Sequence, residues 1–462
     1  MSWAELPTTR YRLDSSWRRP GDGRVVIAGS PLRLFRLSTG GAQVVAMAEV
    51  GKQPNTAPVH QLLDRFVDAG AMHPMHERSP FSAAHVTVVI PAYGRLPHNL
   101  PAGVHVIVVD DASPTPLTFD DAHHDMPGLH HTLLLHAMNR GPAAARNTGL
   151  AEVTTPLVAF VDTDVQLPDG WLEPLLSHFA DERVALVAPR VAGAPGTGWL
   201  AAYEQRHSPL DLGPEPARIA AGTRVSYVPA AAMVWRTQVV RELGGFDESM
   251  RLGEDVDLVW RCAAAGHRCR YEPRSVVHHE PRSTAMALLR QRFGYGRSAA
   301  PLARRHPKAL APVRMSGWSA LSWLLLAARH PLLAAGVAGG TIVALQRQLT
   351  DVAPRESARL ASLGHLAAGR QFSQAITRVW WPLAIVAAVV SRRARAAVVV
   401  VLVGPTLIDA VRTKSPQPLR DAPFATADQM AYGAGVWAGV VAERALGPLW
   451  PELTNWPQRT GG

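Results

Sequence analysis

The chain reads as an α/β protein built on a mostly parallel sheet, and three observations predict it. Between residues 85 and about 282, apolar β-branched runs alternate with helix-patterned segments. Two of those runs close on acids, at Asp110-Asp111-Ala112-Ser113 and Asp162-Thr163-Asp164. A third acidic group, Gly253-Glu254-Asp255, opens an amphipathic helix carrying Val256, Leu258, Val259 and Trp260. A strand covered on both faces reads as a continuous apolar run, as in parallel sheets.

Each element follows in order. Residues 1 to about 80 form a small first unit. Val25 to Gly29 is a short strand and turn, Pro31 to Leu37 is apolar with interspersed Arg, and Leu62 to Gly70 has helical spacing with a Gly stop. A small α/β or winged-helix module is expected there. His73 to Ala84, rich in Pro, Ser and His, is expected to be a linker. Val86 to Ile90 is the first buried strand and ends at Pro91; Val104 to Val109 is the next and ends in Asp110. Thr132 to Leu135 is a third, and Arg140-Gly141-Pro142 starts a helix through Leu150. Leu157 to Val161 is a fourth strand ending in Asp162, Trp171 to Phe179 is expected as a helix, and Val184 to Ala188 as a strand. In such sheets ligands sit beyond the carboxyl ends of the strands, where Asp110, Asp111, Asp162 and Asp164 fall.

Beyond about residue 283 the character changes. Arg290 to Arg305 is basic and punctuated by Gly294 and Gly296. Apolar stretches follow at Trp318 to Ala328, Pro331 to Leu345, Trp380 to Val390 and Ala396 to Ile408. A bilayer span needs about 20 apolar residues, and Arg329-His330 and Arg392-Arg393-Ala394-Arg395 interrupt these runs. Globular core helices are one reading of 301–462. Membrane-associated or hairpin-inserted helices, with Trp and Arg at interface positions, are the expectation.

Composition narrows the classes. The 462 residues are too many for one typical domain. The formal charge of +10 is carried almost wholly by Arg, the lysines being Lys52, Lys308 and Lys414. A basic balance suits nucleic acid, anionic lipid or phosphorylated substrates. No RNA-binding signature, zinc-finger spacing or basic aromatic stripe accompanies it, so nucleic acid is not expected as a partner. Cys262 and Cys269 do not make a disulfide framework and fit a reducing compartment. Met1 to Pro20 is polar, so no signal peptide is expected.

The acids carry the chemistry. A strand-terminal carboxylate such as Asp110 or Asp111 can accept a hydrogen bond from a nucleobase N–H; alone, Asp-Asp-X-Ser is also an ordinary turn motif. In Asp162-Thr163-Asp164 side chains alternate, so both carboxylates point to one side and can reach a hard cation such as Mg²⁺ or Mn²⁺ on a diphosphate. Glu254 and Asp255 lie in a first helical turn, where acids also complement the helix dipole; Asp255 is placed to take a proton from an attacking hydroxyl. Arg146 and Asn147 face the nucleotide end from their helix, unless that face is merely solvated. His278-His279 closes another β-like run, and a neutral imidazole there is a further candidate metal ligand.

Taken in this order, residues 85 to about 300 resemble the family 2 glycosyltransferases, which have the GT-A fold. The matching segments are Val-Ile-Pro-Ala-Tyr at 89–93, Val-Val-Asp-Asp-Ala-Ser at 108–113, Asn-Arg-Gly-Pro-Ala-Ala-Ala-Arg-Asn-Thr-Gly at 139–149, Phe-Val-Asp-Thr-Asp at 160–164, Gly-Gly-Phe-Asp-Glu at 244–248 and Gly-Glu-Asp-Val-Asp-Leu at 253–258. Gly94-Arg95 stands where that family usually has Asn or Asp near Tyr93. Pro91, Tyr93, Asp110, Asp111, Arg146, Asn147 and Asp162 are the candidates to line the nucleotide, and the resemblance implies Asp111 on the base of UDP. It implies that Asp164 holds Mg²⁺ or Mn²⁺, to which His279 is the further candidate ligand from its place at the end of a β-like run, and that Asp255 is the general base of an inverting displacement.

The whole layout is similar to that of the mycofactocin-system glycosyltransferases of actinobacteria. The unit before residue 80 resembles PqqD-like peptide-recognition modules, and an apolar, Arg-punctuated tail follows the 85–300 domain. That resemblance implies glucosylation of the peptide-derived redox cofactor premycofactocin, extending a β-1,4-glucose chain from UDP-glucose. A cytoplasmic catalytic domain held at the membrane surface by the C-terminal region is expected. Two rival expectations are a transferase of cell-envelope polysaccharide or glycolipid, and a non-catalytic peptide-binding scaffold; the intact acids speak against the second.

Overall fold

The computed structural model describes residues 10–97, 103–119, 130–412 and 416–454. Lys414 and the start of the Met1 to Pro20 segment lie outside them. The chain divides into two compact units, Met1–Arg19 with Val26–Pro281 and Pro20–Val25 with Arg282–Gly462.

The N-terminal module holds β1 (Arg10–Leu13), β2 (Val25–Ala28), β3 (Arg33–Arg36) and β4 (Met72–Met75), with helices Thr39–Glu49 and Ala57–Asp68. Strand β2 pairs with β3, and β1 pairs antiparallel with β4. Ser38 caps the first helix by accepting from the Gly41 N–H at 3.1 Å. Val26, Val45, Leu63, Phe66 and Met72 fill a core of its own. Strand β4 corrects the expected linker: His73 is buried against Asp14, Nε2 to Oδ2 3.1 Å, so this segment is packed rather than loose.

The large sheet contains β5 (Val86–Ala92), β6 (His105–Asp110), β7 (His130–Leu135), β8 (Leu157–Val161), β9 (Val165–Gln166), β10 (Val184–Gly193), β11 (Ala217–Arg218), β12 (Ala232–Arg236) and β13 (Arg268–His279). Its order is β11-β13-β10-β12-β8-β5-β6-β7, with β9 paired to β13. Strands β8, β5, β6 and β7 are parallel, as are β10 and β13; β12 runs antiparallel between the two groups. Ala92 therefore sits beside Asp110, and Val161 closes the neighbouring strand at the same sheet edge. The apolar runs are buried as expected, Val88, Val106, Val108, Leu157 and Phe160 among them. Trp171 to Phe179 is not one helix but an α turn, Glu173–Leu176, running into a 3₁₀ turn, Ser177–Ala180. The Ser177 hydroxyl donates to the Pro174 carbonyl at 3.0 Å, competing with the α ladder. Cys262 and Cys269 are free and buried, with Sγ atoms 3.6 Å apart.

Among the described residues from Arg282 onward the second unit is mainly helical, with β14 (Arg314–Ser316) pairing parallel with β15 (Glu452–Thr454). The expected apolar stretches become helices Gly317–Ala327, Pro331–Gln348, Trp381–Val390 and Arg392–Arg412. The longer helices Pro354–Arg378 and Pro418–Glu443 accompany them. Gly296 of helix Ala285–Arg297 meets Gly435 of Pro418–Glu443 so closely that a methyl on Gly296 would lie 2.0 Å from the Tyr432 carbonyl oxygen. Buried Arg292 clamps the same crossing, its Nε 2.6 Å from Asp428 Oδ1. Among the described residues no single helix is long and apolar enough to cross a membrane; Pro354–Arg378 and Trp381–Val390, bent by 84°, reach that length and character only together. Leu332 is 87% exposed and Val390 82% exposed, so these helices present large apolar side chains outward.

Candidate active site

The carboxyl edge of the parallel strands gathers the predicted acids. Buried Asp110, last residue of β6, accepts from Ser113 N and Oγ on Oδ1 and from Leu117 N on Oδ2. Burial opposes its ionisation, but these hydrogen bonds outweigh burial and hold its pKa below the ordinary value. Asp111 is equally committed. Its Oδ1 accepts from Arg140 N at 2.8 Å and faces His136 Nδ1 at 2.7 Å, while Oδ2 accepts from Gly141 N at 2.7 Å. Three of its roughly four acceptor positions are filled, which leaves one on Oδ2 for a ligand N–H. The loop after β5 is tied to the same turn, because Gly94 N–H donates to Ser113 Oγ at 2.7 Å. Tyr93, 57% exposed, projects from that loop, just beyond Pro91 of β5.

Arg146 joins the second and third acidic segments. It is buried on helix Pro142–Glu152 and splits its fork: Nη2 donates to Asp162 Oδ1 and Nη1 to Glu254 Oε1, both at 2.7 Å. Its guanidinium lies 5.3 Å from the Phe246 ring centre. Burial works against this charge, but Asp162 and then Glu254 overcome it and raise the pKa. Asp162 is pushed up first by burial, with Arg146 opposing and Asp164 adding. Glu254 is raised to about 7 by burial and then by Asp255, against the pull of Arg146.

Helix Glu254–Ala264 begins after a left-handed Gly253, φ 84°. Asp255 Oδ2 accepts from Ala230 N at 3.0 Å, and Asp162 N donates to the next residue's carbonyl, Ala231 O, at 3.1 Å. The candidate base is thereby fixed to the segment that runs into β12, alongside the end of β8.

Asp164 and His279 come together although 115 positions separate them (279 − 164). Strand β13 places His279 opposite Val165 of β9, and Asp164 Oδ2 lies 3.2 Å from His279 Nε2. Glu280 N–H donates to Asp164 O at 2.9 Å, and its carboxylate accepts from Arg95 at 2.9 Å. Among the described residues no group of three or more His, Cys, Asp or Glu gathers as a metal cage. One carboxylate beside one imidazole instead suits a divalent ion whose remaining ligands are phosphate oxygens and water.

Arg146 and Asn147 are both committed to protein partners. Arg146 is turned inward between carboxylates, and Asn147 is spent on Phe246 and Glu248, accepting from Phe246 N at 2.9 Å and donating to Phe246 O at 2.8 Å. Helix-face reasoning missed this because the partners come from far along the chain. Sequence reasoning also missed His136, whose Nε2 reaches Thr148 Oγ1 at 2.9 Å while Nδ1 holds Asp111. Glu254 was signalled as a helix-start acid, without its partner.

The site thus has acids at parallel strand ends, a carboxylate–imidazole pair and a braced acid on a helix start. Residues 87–243 match the model of Glycosyl transferase family 2. Along its length the chain is 40% identical, over 467 residues, to the pre-mycofactocin glycosyltransferase of Mycobacterium tuberculosis, covering 96% of this chain and 97% of that protein. The chain belongs to the pre-mycofactocin glycosyltransferase family within glycosyl transferase family 2, and it is a glycosyltransferase of GT-A fold. Succinoglycan biosynthesis protein ExoA of Rhizobium meliloti is 26% identical over 247 residues, 49% of this chain and 73% of that protein. A mannosyltransferase structure from Pyrobaculum calidifontis, in complex with GDP-Man and Mn²⁺, is 17% identical and covers 87% of this chain and 99% of that one, with a TM-score of 0.43. Likeness at that level carries no argument about donor or metal.

The raised Glu254 has a consequence for stability. A carboxyl whose folded pKa is about 7 against an ordinary 4.5 stabilises the fold fully below 4.5, and that contribution is lost as pH rises through about 7. Urea unfolding between about pH 4 and pH 8 should show this falling component in the native chain and not in Glu254→Gln. Identical pH slopes in the two proteins would contradict it.

Proposed function

We propose that the protein is an inverting, metal-dependent glucosyltransferase that moves glucose from UDP-glucose to a hydroxyl of premycofactocin and extends a β-1,4-glucan chain. The observation that carries the acceptor is the end-to-end match to a relative named for pre-mycofactocin. The Asp164–His279 pair and the nearby Asp255 support the chemistry. Asp164 and His279 would hold Mg²⁺ or Mn²⁺, which, when bound, neutralises charge on the departing diphosphate. Asp111 keeps an acceptor position for a nucleobase N–H, and Tyr93 offers a ring beside it. Asp255 takes the proton of the acceptor hydroxyl. That oxygen bonds to the anomeric carbon from the face opposite UDP, and the bond to the diphosphate breaks with its electron pair leaving on UDP.

Asp255→Asn keeps the side chain's size and removes the base. Transfer from UDP-glucose to a premycofactocin-like acceptor, read by mass spectrometry, should fall by about 10²- to 10⁴-fold while UDP-glucose still binds. Chelation should abolish transfer in the native protein, and Mn²⁺ or Mg²⁺ should restore it. Normal turnover by the variant would reject Asp255 as the base, and transfer undiminished by chelator would reject the metal.

The same reading places the catalytic domain in the cytoplasm at the membrane surface. Support comes from the exposed Leu332 and Leu333 on helix Pro331–Gln348, which follows Arg329, and the exposed Val389 and Val390 on helix Trp381–Val390, which starts at Trp381 and precedes Arg392. Large apolar side chains turned outward on several helices are what a lipid surface would cover, and lipid interfaces favour flanking Trp and Arg. The full chain should float with anionic lipid vesicles, and Leu332→Glu with Val390→Glu should reduce that fraction several-fold. Full-length protein that stays in solution beside the vesicles would contradict the assignment.

A further inference from the structure

A second polar pocket lies at the opposite end of β13 from His279. Arg270 and His279 share that strand and pair with Val187 and Gly193 of β10, six positions apart (193 − 187), so roughly 20 Å separates them at the usual rise of an extended chain. The pocket is a cavity of about 40 Å³, and Arg12, His73, His178, Arg270, Glu272 and Arg274 contribute to its wall. It lies where β1 and β4 of the N-terminal module face β13, all inside the first compact unit.

The charges of this wall are paired, with one exception. Arg12 Nη2 is 2.7 Å from Glu215, and His73 is held by Asp14. Glu272 is saturated: Oε2 faces His178 Nε2 at 2.8 Å and accepts from Arg274 Nη2 at 2.9 Å, while Oε1 accepts from Arg274 N and Nε at 3.0 Å. All four of its acceptor positions are filled, so it has none to give Arg270. Arg270 is 3% exposed, and both Nη1 and Nη2 are buried with no hydrogen-bond partner. The neighbouring Arg268 has taken Asp64, Asp68 and Asp181. Burial, and then the charge of Arg268, lower the Arg270 pKa to about 10, which leaves it charged at neutral pH. A buried guanidinium with its outer fork unmet is costly unless something anionic completes it.

We propose that this pocket is a binding site for a single carboxylate, received end-on by Nη1 and Nη2 of Arg270. A planar carboxylate matches a guanidinium fork through two parallel hydrogen bonds. The cavity holds little more than one such group, since a water needs about 10–15 Å³ by the same measure. The ionised Glu272 in the wall disfavours a dianion such as phosphate. The carboxylate can belong to a small organic acid or to the free C-terminus of a peptide, and the chemistry at Arg270 is the same for both.

Titration calorimetry on the full-length protein tests this with acetate, inorganic phosphate, and one short peptide in free-acid and C-terminally amidated forms. Acetate or the free-acid peptide should bind saturably. Arg270→Gln should weaken that binding by roughly tenfold or more, and Arg270→Lys, which keeps charge without the fork, should fall between. Metal-dependent UDP-glucose hydrolysis should be unchanged in both variants, since Arg270 is remote from the acids. Free-acid peptide binding at least tenfold tighter than acetate and amide assigns the site to a peptide terminus; equal binding of acetate and free-acid peptide assigns it to small acids. The proposal is overturned if no carboxylate binds the native protein, if phosphate alone binds, or if Arg270→Gln binds as the native chain does. Should Arg270→Gln fail to fold, Arg270→Lys and the native titration decide the matter.

Discussion

One buried guanidinium organises the catalytic edge. Arg146 is the group through which the end of β8 and the start of helix Glu254–Ala264 meet, at 2.7 Å on each side. Two carboxylates brought this close would repel, and burial would protonate them. Breaking such a pair by removing one partner typically costs about 3–5 kcal/mol, because a desolvated charge is left behind. Asp164 follows Asp162 by two residues and Asp255 follows Glu254 by one, so the metal candidate and the base candidate each stand next to an arm of the Arg146 fork. Their spacing is inherited from that fork.

The surrounding chain reinforces it by division of labour. Asp110 and Asp111 shape the loops that follow β6, with His136 and the Gly141 N–H closing on Asp111. Asn147 fastens the Phe246 turn against the helix that carries Arg146, and Phe246 in turn covers the guanidinium. Low dielectric around these groups strengthens each contact and makes an unmade one expensive. The same principle isolates Arg270 at the far end of β13, where the fork has no protein partner.

Much of the sheet was legible because burial on both faces leaves a simple signature. Val86 to Ile90, Val104 to Val109 and Leu157 to Val161 are continuous apolar runs, and all three are strands. Asp164 and His279 were legible as candidates because each ends a β-like run, and strand pairing brings them to 3.2 Å. The partners of Arg146 and Asn147 were not legible for the opposite reason: a polar residue on a helix looks solvated until a distant segment covers it. Strand β4 hid inside a Pro- and His-rich stretch, since its burial depends on Asp14 from the other end of the module. Helix Pro418–Glu443 gave little apolar signal because its packing face is made of glycine and alanine, which earn burial by close backbone approach.

The proposed transfer needs a base and a metal-held diphosphate acting on opposite faces of one sugar carbon. The anomeric configuration of the product tests that arrangement most directly. Proton NMR of the first glucoside formed from UDP-α-glucose, taken before any later turnover, should show a β-linked sugar with the large H1–H2 coupling of a diaxial pair. An α-linked product would contradict a single displacement with Asp255 as base and would require a different geometry at the strand ends.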